Sequence, residues 1–437
     1  MTAAAHADRL ALRLTLARAA AWTLLLSGWI GLGSFALLLT PSLFIALALV
    51  ALWLLALGIT ATFATRDNLS ASTRRVALGL CGAATAAALA WASHGGGLPA
   101  LLPALVAWAG LPALASGVVR SLRLAQAVRP GPPIAAASFG ALCAGLVLAE
   151  PGDLQALTLR LGGLVLVVAV ALIALQSGAG ERSTASRCRA GLFDCSLPAW
   201  PAGAWHDVRH WPVLLAGLAM LPMMAALPLM VVWCRAQAIA PQATVLLHLA
   251  AMFAPALLLR RSIARWSQRT LSAVCAALLA AGAVVVIWVD APWNLLGLAL
   301  AHGAAWGMAW AGQLWAPDRR GRQGASPLRA AIGYAALTVA FGSVVEQFGA
   351  AGVSATHVAL GLAAVLAWLL GALPRSGAGD RGMSRIGRAF SSRTSTLVVG
   401  SDEEVHGRHD EQGEQRSDGQ AGEDHQAHRM TPGRAGT

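Results

Sequence analysis

The stretch MLPMMAALPLMVVWCRAQAIAPQATVLLHLAAM, residues 220–252, gathers five of the chain's nine methionines, one of its six cysteines and a histidine. Met220 and Met224 are four residues apart, and so are His248 and Met252. Residues at that spacing share one face of a helix, one turn apart. Thioether sulfur is a soft, uncharged donor that selects Cu(I) over hard ions such as Mg²⁺ or Ca²⁺, and neutral imidazole adds a stronger donor of the same charge type. Four neutral ligands also suit a site inside a membrane, because the empty site leaves no buried charge behind.

The rest of the sequence says what must hold these residues. The chain has 437 residues, 57% of them hydrophobic and only 12% charged, and its mean hydropathy is +0.62. An ordinary soluble domain carries about 25% charged residues, so lipid must solvate most of this chain. Twelve apolar runs approach the roughly 20 residues needed to cross a bilayer: about 20–40, 43–63, 76–93, 98–119, 134–149, 156–176, 212–234, 242–259, 271–289, 293–315, 330–346 and 353–373. No cleavable signal peptide is evident. Arg9, Arg13 and Arg18 precede the first run, which is expected to stay as an anchor.

The net charge of +12 is a topology signal rather than a nucleic-acid footprint. There is no lysine, and every arginine except Arg160 and Arg235 falls in alternate loops or a tail. The positive-inside rule then places both termini in the cytoplasm of a bacterial inner membrane. The longest loop, 177–211, divides the spans into six and six. The expected architecture is all-α, with twelve transmembrane helices in two six-helix halves of the major facilitator type: 1–176, a cytoplasmic linker 177–211, then 212–373. Residues 374–437 turn polar and read as a disordered cytoplasmic tail.

In this topology span 7 runs outward and span 8 runs back. At 1.5 Å per residue, Met220 and Met252 each lie ~12 Å from the cytoplasmic end, and Met224 and His248 each ~18 Å. The two pairs are level in depth, so three thioethers and one imidazole can surround a common point. Pro222, Pro228 and Pro255 interrupt the helical ladders nearby. Packing is the competing account, since methionine also fills irregular apolar gaps and a buried histidine also bonds a neighbouring helix.

A twelve-span chain with MxxxM in span 7 and HxxxM in span 8 resembles the CcoA-like (CalT family) copper importers. The resemblance implies that Met220, Met224, His248 and Met252 carry copper across the inner membrane for assembly of cbb3-type cytochrome oxidase, with Cys234 as a further metal-handling residue. It also implies copper as transported substrate, a cytoplasmic protein that accepts the metal, and no enzymatic activity. Two other classes stay open: a facilitator-type exporter of a small organic molecule, with the methionines as apolar wall, and a non-transporting membrane assembly factor.

Other residues weigh less. ATRDNLSASTRR, residues 64–75, only loosely resembles the facilitator signature between spans 2 and 3. Cys188 and Cys195, with His206 and His210, are spaced too widely for a structural zinc site and read as solvated linker. No disulfide framework is implied. The tail pairs His406 with His409 and His425 with His428 read as incidental. His302, Met308 and Gln313 of span 10 are candidates to line the central cavity. His357 reads as interfacial, and Glu346 as a solvated carboxylate at the outer end of span 11. A reporter active only outside the cytoplasm, fused after Pro374, is expected to stay silent; strong signal there would overturn the topology and the depth match with it.

Overall fold

The computed structural model of the chain describes residues 3–40, 42–66, 69–125, 133–148, 153–176, 207–220, 227, 241–290, 293–315 and 327–373. Met224, Cys234, Cys188, Cys195, His206 and the tail histidines lie outside the described residues. All regular structure among the described residues is helical. That follows from the solvent: hydrocarbon offers no partner to a backbone amide, so each segment must satisfy its own.

Six helical stretches are long and apolar enough to cross a membrane: Asp8–Leu39, Leu43–Phe63, Ala71–Leu122, Leu154–Gln176, Gln268–Trp288 and Leu328–Ala372. Two of them are too long for one crossing. Straight helices of 52 and 45 residues would run ~78 and ~68 Å, against a hydrocarbon core of ~30 Å. Both fold back at glycine. The first bends where Gly95 and Gly97 take φ of +114° and +57°, and the second where Gly349 takes φ +56° and ψ −135°. Spans 3 and 4 are thus the arms of one stretch, and spans 11 and 12 the arms of the other.

The remaining spans are single. Span 1 is Ala3–Leu26, continued by a π turn at Ser27–Gly31 and by Leu32–Leu39; span 2 is Leu43–Arg66. Pro133–Leu148 and Leu154–Gln176 form spans 5 and 6. Residues 211–220 are the helical start of span 7. Spans 8, 9 and 10 are Pro241–Leu258, Gln268–Trp288 and Trp293–Trp315. Successive crossings alternate in direction, so odd spans start on the face where span 1 begins and even spans on the opposite, far face.

Large apolar side chains point outward: Leu258 is 81% exposed and Leu159 76%. The interior holds alanine, leucine and the wholly buried Trp53 and Trp108. Glycines permit the closest contacts, as expected where helices associate through close packing rather than hydrophobic expulsion. A Cβ on Gly140 of span 5 would meet the Trp22 side chain of span 1 at 2.8 Å, and one on Gly145 would meet Leu249 of span 8 at 2.8 Å. The span hydroxyls of Thr23, Thr60, Thr85 and Thr338 bond backwards to carbonyls of their own helix. Two also reach a neighbour: Thr23 lies 2.9 Å from the Ala19 carbonyl and 3.2 Å from that of Gly140, and Thr60 lies 3.1 Å from that of Ala109.

Short polar anchors pin the loops. Ser70 and Ser267 cap spans 3 and 9 by accepting from Thr73 and Thr270 amides, both at 3.1 Å. Arg74, from the 64–75 segment, donates to the Ser121 hydroxyl at 2.7 Å and the Leu69 carbonyl at 3.0 Å, tying the loop to span 4. The described end of the long loop is docked rather than fully solvated. Residues 208–210 form a 3-10 turn, and Ser272 of span 9 donates to the Arg209 carbonyl at 2.7 Å. Asp207 accepts from the Arg209 guanidinium, Nε reaching Oδ1 and Oδ2 each at 3.0 Å and Nη2 reaching Oδ2 at 2.8 Å. Those bonds first, then the Arg209 amide and charge, outweigh desolvation and hold the carboxyl below its ordinary value. Its contribution is therefore present above the unfolded value and is lost as pH falls through the lower folded one. With the Arg209 side chain 41% exposed, that contribution stays within the ~0–1 kcal/mol of surface pairs.

The Gly349 bend yields a direct test. A Cβ placed at Gly349 or at Gly333 would meet open space, but only Gly349 has positive φ. Gly349→Ala is expected to destabilise the purified protein by about 1–2 kcal/mol through backbone strain. Gly333→Ala, on an ordinary helical turn, should be neutral or slightly stabilising. Equal melting temperatures for the two variants would show that the bend does not depend on that glycine.

Candidate functional site

Spans 8 and 10 meet along one seam. Gly303 and Gly307 of span 10 are four residues apart, and they lie against His248 and Met252 of span 8, which have the same spacing. A Cβ on Gly303 would stand 3.0 Å from the His248 carbonyl and 3.3 Å from its Nδ1, while one on Gly307 would overlap the Met252 carbonyl. Small residues at this spacing let two helix backbones approach closely. The HxxxM pair is thus held by a GxxxG stripe.

The seam orients the imidazole. His248 is wholly buried, and its Nδ1–H donates to the Ala299 carbonyl at 2.8 Å. A carbonyl can only accept, so the proton is on Nδ1 and the neutral ring presents its lone pair at Nε2. That atom has no partner. A histidine that ligates a metal is commonly fixed in this way, one ring nitrogen tied to a carbonyl and the other free to coordinate. Met252, one turn on, is buried.

Met220 is buried at the described end of span 7. The carbonyl of its neighbour Ala219 stands close enough to His302 of span 10 to interact with the ring, but the geometry does not close a hydrogen bond. His248 also lies within electrostatic range of His302. Of the expected residues, His248 and Met252 lie against span 10 and Met220 is buried in span 7. The other two, Met224 and Cys234, fall outside the described residues.

The histidines of spans 10 and 12 change the sequence reading. His302 is wholly buried, and neither ring nitrogen has a hydrogen-bond partner. His357, expected at the interface, is instead wholly buried: its ring packs edge-on to His302 with centroids 4.5 Å apart, and Phe341 lies 6.3 Å from it. Its Nδ1–H donates to the Val353 carbonyl at 2.6 Å and its Nε2 is unpartnered. A depth count would have found it. His248, His302 and His357 stand seven, nine and eight residues beyond Pro241, Trp293 and Gly349, which is ~11, ~14 and ~12 Å from the far face. Each unpartnered buried nitrogen costs about 1–3 kcal/mol if nothing fills the space beside it. Among the described residues, no three His, Cys, Asp or Glu side chains converge closely enough to hold a metal ion, so thioethers would have to complete any shell built on one histidine.

Packed side chains lie on both sides of this layer. Toward the face where span 1 begins, Trp22 of span 1, Phe253 of span 8, and Trp306 and Trp310 of span 10 form a closed aromatic cluster. Trp22 meets Phe253 at 5.8 Å and Trp310 at 5.4 Å edge-on, and the two span 10 tryptophans stack at 5.5 Å. Toward the far face, Leu43 and Leu47 of span 2 pack with Leu295, Leu298, Phe341 and Val353 of spans 10 to 12. Glu346, exposed as expected, caps span 2 there by accepting from the Phe44 amide at 3.0 Å and the Ser42 hydroxyl at 3.2 Å. Met308 is buried, and the Gln313 side chain is outside the described set.

No family model matches the chain, and no curated protein matches its sequence. Solved structures do match in fold. The nucleoside transporter NupG superposes with a TM-score of 0.56 at 17% identity, covering 83% of this chain and 98% of that one. A D-xylose-proton symporter gives 0.54 at 14% identity, covering 84% and 98%. A variant of the peptide transporter POT gives 0.52 at 15%, covering 82% and 93%. At such identities the likeness shows a shared fold: the chain is an all-α, multi-pass membrane protein with the architecture of major facilitator secondary transporters.

The seam can be tested directly. Gly307→Val is expected to drive spans 8 and 10 apart and destabilise the protein by about 1–3 kcal/mol, the usual range for overpacking. Gly163→Val, where an added Cβ meets nothing within 4 Å, is the control. Indistinguishable thermal unfolding of the two purified variants would mean that the helices do not depend on that approach.

Proposed function

We propose that this protein is a copper importer of the bacterial inner membrane, with Met220, Met224, His248 and Met252 as the transport ligands and Cys234 as a further metal-handling residue. The observation that carries the reading is His248: it is buried, its Nδ1–H is held by the Ala299 carbonyl, its Nε2 has no hydrogen-bond partner, and buried Met252 is the residue one helical turn on. Thioether and imidazole donors together favour Cu(I), and their neutrality lets the site empty without stranding a charge in lipid.

In this mechanism the halves 1–176 and 212–373 rock about the ligands, opening them alternately to either side. Both termini are cytoplasmic, and the 177–211 linker joins the halves there. Release toward the cytoplasm requires Trp22 to part from Phe253, Trp306 and Trp310. A cytoplasmic acceptor then takes the metal toward cuproenzymes such as cbb3-type cytochrome oxidase. The protein moves its cargo without chemical change, so it is not an enzyme.

The test is copper uptake by cells, normalised to the amount of protein in the membrane, for single Met→Leu variants at 220, 224 and 252 and for His248→Leu. Leucine conserves volume, and such swaps usually cost under about 1.5 kcal/mol, so the variants should accumulate normally. Uptake should fall about tenfold or more, because even groups that only orient a metal ligand are worth ~10–100-fold. Met230→Leu, six residues beyond Met224 and off the paired face of a helix, should transport like wild type. Unchanged uptake in the His248 and Met252 variants would reject the copper site and leave an exporter of an organic molecule, or an assembly factor, in its place.

A further inference from the structure

We infer that Glu346 is a latch that holds the far face shut: a carboxylate of the second half grips the start of span 2 in the first, and lets go each time the protein opens on that side. The inference needs the halves to part alternately, as the proposed transport cycle has them do, and is independent of the cargo.

Glu346 lies near the end of span 11, in the half 212–373, whereas span 2 belongs to the half 1–176. Its Oε1 accepts from the Ser42 hydroxyl at 3.2 Å and its Oε2 from the Phe44 amide at 3.0 Å. Ser42 in turn accepts from the Ile45 amide at 3.3 Å. A negative charge at the positive end of a helix, bonded to an amide of its first turn, acts as an N-terminal cap. At the starts of spans 3, 6 and 9 the caps are local: Ser70, Asp153 and Ser267 each serve an amide three residues on. The carboxylate that caps span 2 comes from 302 residues away and from the other half. A local cap survives any rocking of the halves. This one must break when they part on the far side.

An apolar seam lies beneath the latch. Gly342 and Glu346 are four residues apart on span 11, as Leu43 and Leu47 are on span 2. The two spans run antiparallel, so the deeper Gly342 meets the deeper Leu47: a Cβ on Gly342 would stand 3.1 Å from the Leu47 side chain. Leu43, Leu47 and Phe341 share one cluster, and Phe341 lies edge-on to His357, so the seam begins where the histidine layer ends. A second seam joins the halves on other spans, at Gly145 of span 5 against Leu249 of span 8. Opening toward the far face separates both. Apolar contact is non-directional, whereas the paired bonds of Glu346 form at one separation only, so the carboxylate fixes the closed position. Glu346 and Phe44 are exposed, and opening exchanges their bond for bonds to water, which keeps the latch reversible.

The experiment measures how fast a water-soluble maleimide labels reporter cysteines in the full-length protein held in lipid nanodiscs. Leu47→Cys reports the seam under the latch, Leu249→Cys the second seam, and Ala109→Cys the buried contact of spans 2 and 4 within the first half. Each rate is corrected by the same protein without its reporter, which removes the native cysteines. Labelling of a buried thiol tracks the fraction of molecules in which its site is open. Glu346→Ala is expected to speed labelling at Leu47→Cys and at Leu249→Cys by about fivefold, the shift that loss of one helix cap produces, and to leave Ala109→Cys unchanged. Glu346→Gln keeps one accepting oxygen and should give a smaller increase at the same two sites; it answers the question if the alanine variant fails to fold. Faster labelling at Leu47→Cys alone would mean that Glu346 only caps span 2, and would overturn the latch. Equal acceleration at all three reporters, or none at either seam, would overturn it as well. No copper is present, so these outcomes stand apart from the uptake test of the copper reading.

Discussion

The approach of span 10 to span 8 is the constraint on which the rest of the membrane domain depends. Lipid tails are as apolar as the helices they surround, so no hydrophobic force pulls two spans together. What holds them is contact, and contact needs small residues. Gly303 and Gly307 supply it against His248 and Met252. Only at that separation does the His248 Nδ1–H reach the Ala299 carbonyl, and only then does Phe253 fall between Trp306 and Trp310, where Trp22 completes the cluster. Ring orientation, donor availability and closure toward one face thus follow from two missing side chains.

Polar groups within the spans are treated in two ways. Thr23, Thr60, Thr85 and Thr338 return their hydroxyls to carbonyls of their own helix, and where one also reaches a neighbour, as Thr23 does at Gly140, it fastens two helices. At the ends, Glu346, Arg74 and Asp207 each find specific partners. Buried nitrogens without a hydrogen-bond partner occur in both halves, at the indoles of Trp29, Trp53 and Trp108 as well as at His248, His302 and His357.

Fold and cargo are separate questions. The solved structures that share this fold include a nucleoside transporter, a D-xylose-proton symporter and a peptide transporter, three unrelated chemistries on one architecture. A shared scaffold therefore leaves function to the side chains. Here those side chains are thioethers, imidazoles and indoles, with no carboxylate among the described residues of the central layer.

Much of this was legible in the chain itself. Apolar runs of about twenty residues can do little except cross lipid as helices, and their number and order carried the all-α, twelve-span architecture. Arginine placement predicted orientation, and the four-residue spacing of Met220 with Met224 and of His248 with Met252 singled out a candidate donor set. Glycine at 349 was needed for the turn between spans 11 and 12, though only the backbone angles revealed why. What the chain could not disclose was which spans touch. His357 is distant from His302 in sequence, and nothing local distinguishes an interfacial histidine from one pressed against another imidazole. The partner of His248 Nδ1 was equally hidden, because the Ala299 carbonyl is a backbone atom with no residue type to announce it. Periodicity records how one helix meets lipid. Contact between helices depends on their relative rotation and separation, and only tertiary packing decides those.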